Sequence, residues 1–313
     1  MKNNFLKELF ANATPLTKLV FTLFVMFTSY LLVTFITILI IIPVYSFSIE
    51  EINILLKEDL LEADISMLRF FQISQSFGLF LIPAILLNYI LFHAGEDYMS
   101  TGNFPSLLLM LMVLLTLIFS VPIINFLIDW NSSLKLPEWI NFLEDKLQQM
   151  EIERNQLTER MTDNMQTSDY FFNLLIIAII PAIGEEFLFR GILQRIFSQW
   201  IKNIHIAIGL AAIIFSAFHL QFYGFLPRLV LGVYFGYLFY WSKNIWLAVW
   251  AHFLNNAFAI SLIYIAANGW FSESDILKGG TITSLLQVLL SIFITSLLVI
   301  LTSKYFRNTN KGN

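Results

Sequence analysis

The chain contains no cysteine. That absence removes disulfides, zinc–thiolate sites, iron–sulfur clusters and any nucleophilic thiol, and it leaves no side chain for a prenyl or palmitoyl anchor. Charge is almost as scarce. Charged residues are 13% of the chain, against roughly a quarter in a soluble domain. With 18 Lys+Arg, 22 Asp+Glu and a net charge of -4, no basic surface is left over to neutralise phosphates, and a nucleic-acid binder is excluded.

Apolar residues take the place of charge. They make up 58% of the 313 residues, 32 of them phenylalanine, and the mean hydropathy is +0.73. One globular core could not bury so many phenylalanines. The composition is that of an integral membrane protein, and the expected fold class is all-α, a polytopic bundle of membrane helices.

A helix needs about 20 mostly apolar residues to cross the hydrocarbon core. By that measure there are eight candidate spans, near 19–45, 69–93, 105–129, 170–197, 204–220, 226–242, 245–267 and 282–303. The first exceeds the apolar core of a signal peptide, about 7–15 residues, and is expected to remain as a span. The third opens at Pro105, a residue suited to a helix N-terminus. The fourth is unusual in holding Glu185, Glu186, Arg190 and Arg195.

Short-loop basic residues set orientation. An inside N-terminus places Lys2, Lys7, Lys18, Arg195, Lys202, Lys243, Lys304, Arg307 and Lys311 on the cytoplasmic side. The opposite side keeps Lys57, Lys278 and the 130–168 loop, where acids outnumber Lys135, Lys146, Arg154 and Arg160. Both termini are therefore expected in the cytoplasm. The compact loops read as bacterial, which points to the inner membrane.

Two loops show patterning of their own. Residues 46–66 alternate acids (Glu50, Glu51, Glu58, Asp59, Glu62, Asp64) with leucines, as a short exposed helix would. Residues 137–165 carry apolar side chains at 139, 140, 143, 147, 150 and 157 behind Pro137. That spacing predicts an amphipathic helix with proline in its first turn, lying in the membrane interface as a connector or as a substrate guide. By motif content the chain divides into an N-terminal membrane region (1–168), a segment rich in intramembrane polar residues (169–268) and a C-terminal span with its tail (269–313).

Ionisable groups cost about 2.5–3.5 kcal/mol each at the centre of a span on insertion scales, so they tend to mark function. The second half of the chain concentrates them. Glu186 and Arg190 stand at i and i+4 and can pair along one helix face. Glu185 lies about 100° round the helix, outside that pair. Phe215 and His219 repeat the spacing on the fifth span, and His252 and Asn256 repeat it on the seventh. Taken singly these residues have plain structural readings: a locked ion pair, an interfacial histidine, polar glue between helices, a snorkelling Arg228, and close packing at the Gly232/Gly236 pair. Taken together, on converging faces, they form an inventory for hydrolysis. A carboxylate takes a proton from water, a neutral imidazole holds that water, and the second imidazole and the carboxamide donate to a developing oxyanion.

The ordered triple Glu185-Glu186-x-x-x-Arg190, Phe215-x-x-x-His219 and His252-x-x-x-Asn256 resembles the CPBP family, the CAAX proteases and bacteriocin-processing enzymes also called Abi. The likeness covers about residues 170–260, and all three motifs have their family spacing. It implies an intramembrane endopeptidase in an all-helical bundle. On that likeness Glu185 with His219 activates the hydrolytic water, His252 and Asn256 stabilise the tetrahedral intermediate, and Glu186 with Arg190, supported by Phe215, keeps the site in shape. The substrate would be a membrane-associated protein or peptide.

The family's metalloprotease label leaves the cofactor open. Glu185, His219 and His252 could make a zinc set, yet HExxH is absent and the same groups serve a metal-free glutamate site, which is the preferred reading. Two other function classes compete. A proton-coupled transporter would also use intramembrane Glu and His, but broken helices do not recur at matching positions in the two halves. A non-catalytic membrane scaffold or immunity protein would keep the motifs for structure alone. Pro181 and Gly184, just before the glutamates, predict a break in the fourth span.

Overall fold

A computed structural model describes residues 10, 12–45, 64–91, 99, 101–102, 104–135, 137, 139, 141–163, 165–269 and 284–309. Among these residues there is helix and no strand. The elements are α1 (Pro15–Tyr45), α2 (Ile65–Leu91), α3 (Leu107–Ser133), α4 (Asn141–Thr162), α5 (Thr167–Ile201), α6 (Ile204–Phe218), α7 (Phe225–Ser242), α8 (Ile245–Ala267) and α9 (Leu285–Thr309). The protein is an all-α, polytopic membrane protein. The acidic helix expected over 46–66 falls almost wholly outside the described residues.

Six of the helices, α1, α2, α3, α5, α8 and α9, are long and apolar enough to cross a membrane. The sequence spacing predicts about eight, and the two that fall short do so for separate reasons. α6 has 15 residues, about 22 Å of rise against a hydrocarbon core of about 30 Å. α7 has 18 residues, but Arg228 and its tyrosines and Trp241 dilute its apolar character. The outward faces of the long helices are greasy. Phe24, Phe27 and Phe35 of α1, Leu107 of α3 and Phe293 of α9 are all exposed on the chain itself, as lipid-facing side chains must be.

Helix ends follow local chemistry. Asp64 caps α2 by accepting from the Ser66 N–H at 2.8 Å, and a reciprocal capping box joins Gln166 to Asp169 at the start of α5. Two tight turns use the same dipeptide. Lys202 and Lys243 adopt left-handed backbone (φ 55° and 53°) and end α5 and α7. The asparagine after each then caps the next helix, Asn203 through the His205 N–H (3.0 Å) and Asn244 through the Trp246 N–H (2.9 Å).

The chain forms two compact units, residues 1–99 with 153–207 and residues 100–152 with 208–313. In the first, α1 packs on α2, and α2 on α5. Its core joins Ile41, Met67, Leu68, Met161 and Ile176. Polar ties add to it: Thr37 to Ser74 at 2.6 Å, Asn173 to the Met161 carbonyl at 2.8 Å, and Arg69 to Asp169 at 2.9 Å. In the second, α3 packs against α7, α8 and α9, and α7 also against α8.

Prolines reshape α2 and α5 without breaking them. Each contains a π-helical stretch, Ser76–Leu81 and Leu174–Ile179, ending two residues before a proline, Pro83 and Pro181. Proline has no N–H and its ring clashes with the carbonyl four residues back. Widening one turn removes the conflict, and the Ile82 N–H reaches the Phe77 carbonyl and the Ile180 N–H the Leu175 carbonyl, both at i−5. The break predicted near Pro181 and Gly184 is therefore a continuous but widened helix. Gly184 serves close packing, since a Cβ there would lie 3.1 Å from Phe80 Cβ and 3.3 Å from the Leu81 nitrogen.

The amphipathic helix predicted over 137–165 is present as α4, beginning at Asn141, so Pro137 lies ahead of its first turn. Leu147, Met150, Leu157 and Met161 lie on its more covered side.

Candidate active site

Glu185, Glu186 and Arg190 stand on α5, in the first unit, and all three are buried at 8%, 0% and 1% exposure. Arg190 Nη1 donates to Glu186 Oε1 at 2.7 Å, the predicted i,i+4 pair. Glu185 also lies within electrostatic reach of Arg190, so one guanidinium attracts two neighbouring carboxylates. Desolvated ions hold their place only when paired. The pair is thus a lock on the helix that carries Glu185.

The helix is widened again directly after the glutamates, over Phe187–Leu193, where the Gln194 N–H bonds to the Phe189 carbonyl at i−5. Such π segments frequently accompany functional sites. No proline accounts for this one, and Arg190 lies inside it.

Phe215, His219, His252 and Asn256 belong to the second unit. His219 follows the last turn of α6. One of its ring nitrogens, Nδ1, lies 3.0 Å from the Phe215 carbonyl. A carbonyl can only accept, so this contact selects the tautomer with hydrogen on Nδ1 and the lone pair on Nε2. His252 on α8 is buried at 4% exposure. Its ring stacks on Phe235 (centroids 5.3 Å apart, 21° between planes) and meets the edge of Phe215 (5.6 Å, 89°). Phe215 also meets His219 edge-on at 5.1 Å and 70°. One phenylalanine ring therefore touches both imidazoles.

Gly232 on α7 makes room for that ring. A Cβ there would lie 3.1 Å from Phe215 Cδ1 and 3.1 Å from Ala212 Cβ. The close-packing role expected for the Gly232/Gly236 pair is met at Gly232, and it fixes the aromatic group between the histidines.

On α8 the Asn255 amide donates to Asn256 Oδ1 at 3.2 Å. The carboxamide of Asn256 carries both an acceptor oxygen and a donor NH2. From the sequence, Asn255 counts among the polar residues of the seventh span with no role assigned to it, and Phe235 is not singled out. Asn255 stands inside the HFLNN stretch, where adjacency was the available signal, whereas Phe235 is one of many phenylalanines and carried none.

Arg228 does not snorkel. Its Nη1 donates to Gln221 Oε1 and its Nη2 to the Gln221 carbonyl, both at 2.7 Å, so it grips the turn that follows His219. Among the described residues no group of three or more His, Asp or Glu side chains stands together as a metal-ligand set.

Outside the spans, Tyr223 lies in the same turn. Burial, followed by the carboxylates of Glu144, Glu151 and Asp145, pushes its phenol above the ordinary tyrosine range.

Residues 167–258 match the family model of type II CAAX prenyl endopeptidases, Rce1-like. The resemblance read from the three motifs is borne out over that segment, which indicates a peptidase at family level. Comparison with curated proteins and with solved structures gave no match.

Proposed function

We propose that this membrane protein, whose 167–258 segment is of the Rce1-like CAAX endopeptidase type, hydrolyses a peptide bond in a membrane-associated protein or peptide. The observation that carries the reading lies within the matched segment. A buried carboxylate stands beside an ion-paired neighbour, and two imidazoles are held on one phenylalanine ring, with the tautomer of His219 set by the Phe215 carbonyl.

In this reading Glu185 and His219 share the hydrolytic water. The lone pair on His219 Nε2 accepts one hydrogen of the water while Glu185 removes the other. The hydroxide attacks the scissile carbonyl carbon. A ring N–H of His252 and the NH2 of Asn256 donate to the oxyanion that forms. Glu185 then returns its proton to the departing amine, so no proton is gained or lost. Glu186 and Arg190 hold Glu185 in place through the helix, and Phe215 holds the two histidines. The water is activated by protein groups alone.

The same reading places the protein in a bacterial inner membrane with both termini in the cytoplasm, because the short-loop lysines and arginines gather on that side. Single cysteines introduced at either end of this cysteine-free chain would be labelled only from inside the cell.

The test compares wild type with Glu185→Gln, both purified in detergent and incubated with a pooled library of membrane-associated peptides, with zinc quantified by mass spectrometry. Cleavage by wild type alone, without stoichiometric zinc, is expected. Equal cleavage by the two proteins would remove Glu185 from the mechanism. One zinc per chain, with activity lost on chelation, would make Glu185, His219 and His252 ligands instead.

A further inference from the structure

We infer that Asn131, from outside the family-matched segment, is a positioning residue for His219. The inference rests on the reading of His219 as a member of the active site.

The turn from His219 to Gly224 joins α6 to α7 and takes a left-handed backbone at Leu220 (φ 53°). Its own bonds are few. The His219 N–H reaches the Ser216 carbonyl at 3.3 Å, the Leu220 N–H reaches the Ala217 carbonyl at 3.0 Å, the Phe225 N–H reaches the Phe222 carbonyl at 3.1 Å, and the Ser216 hydroxyl donates to the Phe225 carbonyl at 2.7 Å. Other backbone groups must find partners elsewhere, because unsatisfied amides away from water are costly.

Asn131, near the end of α3, supplies two of them. Its side chain is buried at 1% exposure. Its Nδ2 donates to the Phe222 carbonyl at 2.7 Å, and its Oδ1 accepts from the Leu226 N–H at 2.8 Å. Leu226 is in the first turn of α7, where N–H groups have no partner within the helix. One amide thus caps α7 from another helix and holds the turn ahead of it. A carboxamide can do both, whereas a carboxylate lacks the donor and an alkyl group lacks both atoms. Glu151 of α4 adds a third external tie by accepting from the Tyr223 N–H at 3.0 Å. Neither Asn131 nor Glu151 lies within 167–258.

The consequence for His219 is geometric. Its ring is held from one side by the Phe215 carbonyl, and its backbone opens a turn whose far end is pinned by Asn131. Without Asn131, the Leu226 N–H loses its partner and the Phe222 carbonyl keeps only the Phe225 N–H at 3.1 Å, the turn relaxes, and the imidazole leaves the position that its tautomer serves. Small displacements of a reacting group cost on the order of a hundredfold in rate.

The experiment uses the full chain in lipid nanodiscs, as wild type, Asn131→Asp and Asn131→Ala. The aspartate variant keeps the shape and the acceptor of the side chain but exchanges the donor to Phe222 for an oxygen and adds a negative charge, whereas the alanine variant removes both bonds without adding charge, so an effect common to the two reports the lost donor. Two readouts are taken: kcat and KM on a cleaved membrane peptide, and ring-nitrogen NMR of labelled histidine, with His219 assigned by its loss in His219→Gln. The expected result is a fall in kcat of about 10- to 100-fold with KM within about twofold, together with a reduced Nδ1–H population at His219. An unchanged kcat and an unchanged His219 spectrum, with only a lower melting temperature, would make Asn131 a packing residue and overturn the inference. If wild type cleaves no peptide, the functional reading fails, but the His219 spectrum still decides whether Asn131 positions the ring.

Discussion

The Glu186–Arg190 pair offers the sharpest quantitative test of the fold around the first motif. Both side chains are essentially unexposed and the N–O distance is 2.7 Å. Replacing Arg190 with methionine keeps most of the volume but leaves two carboxylates buried without the cation that attracts them. Breaking a buried ion pair from one side costs about 3–5 kcal/mol. Glu186→Gln leaves the guanidinium with a neutral acceptor and should cost less, about 1–3 kcal/mol. In the double variant the charge of neither partner remains to be stranded, so the loss should fall short of the sum by about 2 kcal/mol or more, since contacting residues couple by about 0.5–3 kcal/mol. The assay is reversible unfolding in mixed micelles, followed by helix content, on wild type, both single variants and the double variant. Strictly additive losses would refute the view that the two ions stabilise one another, and would mean that each is held by other partners.

Three further outcomes are expected. Gly184→Ala should destabilise the protein by about 1–3 kcal/mol, because the new methyl meets Phe80 Cβ at 3.1 Å and the backbone nitrogen of Leu81 at 3.3 Å, which cannot step aside cheaply; an unchanged melting temperature would deny that contact. Because the chain has no cysteine, Glu185→Cys with His219→Cys can be probed by short bifunctional thiol reagents in membranes, and cross-linking is expected if both residues serve one water; its absence, with both cysteines reactive, would separate them. Tyr223 predicts an alkaline effect. Its folded phenol is raised above the unfolded value of 10.0, so its contribution is intact below about pH 10 and is lost as pH climbs from there toward the raised value. Tyr223→Phe should flatten that decline in a pH series of melting temperatures, and an identical decline in both proteins would assign it elsewhere.

How far the residues alone reached depended on the distance over which each feature is specified. The Glu186–Arg190 pair was legible because it lies within a single helix and the 3.6-residue period places i and i+4 together. Even the widened turn at Phe187–Leu193 did not undo it. The proline signal at 181 was legible as a disturbance, but a pattern of residues does not distinguish a break from a wider turn; packing that keeps the helix continuous makes that choice. Pro137 misled for a related reason, since a helix can start a few residues beyond the proline that seems to open it. Arg228 read as a snorkelling side chain because its partner, Gln221, is reached only once the turn has folded back.

Composition and periodicity were enough to establish a helical membrane protein and to name the polar residues on each helix, because hydrophobic length and helical repeat are local properties that need no partner. They could not establish what lies between helices. The Phe215 ring lodged against Gly232 and touching two histidines, Phe235 stacked on His252, and the Asn131 amide bridging Phe222 to Leu226 join residues far apart in the chain. Nothing in the sequence marks Asn131 apart from other asparagines. Its role appears only when α3 ends beside the turn after α6, where its amide donates to the Phe222 carbonyl and accepts from the Leu226 N–H.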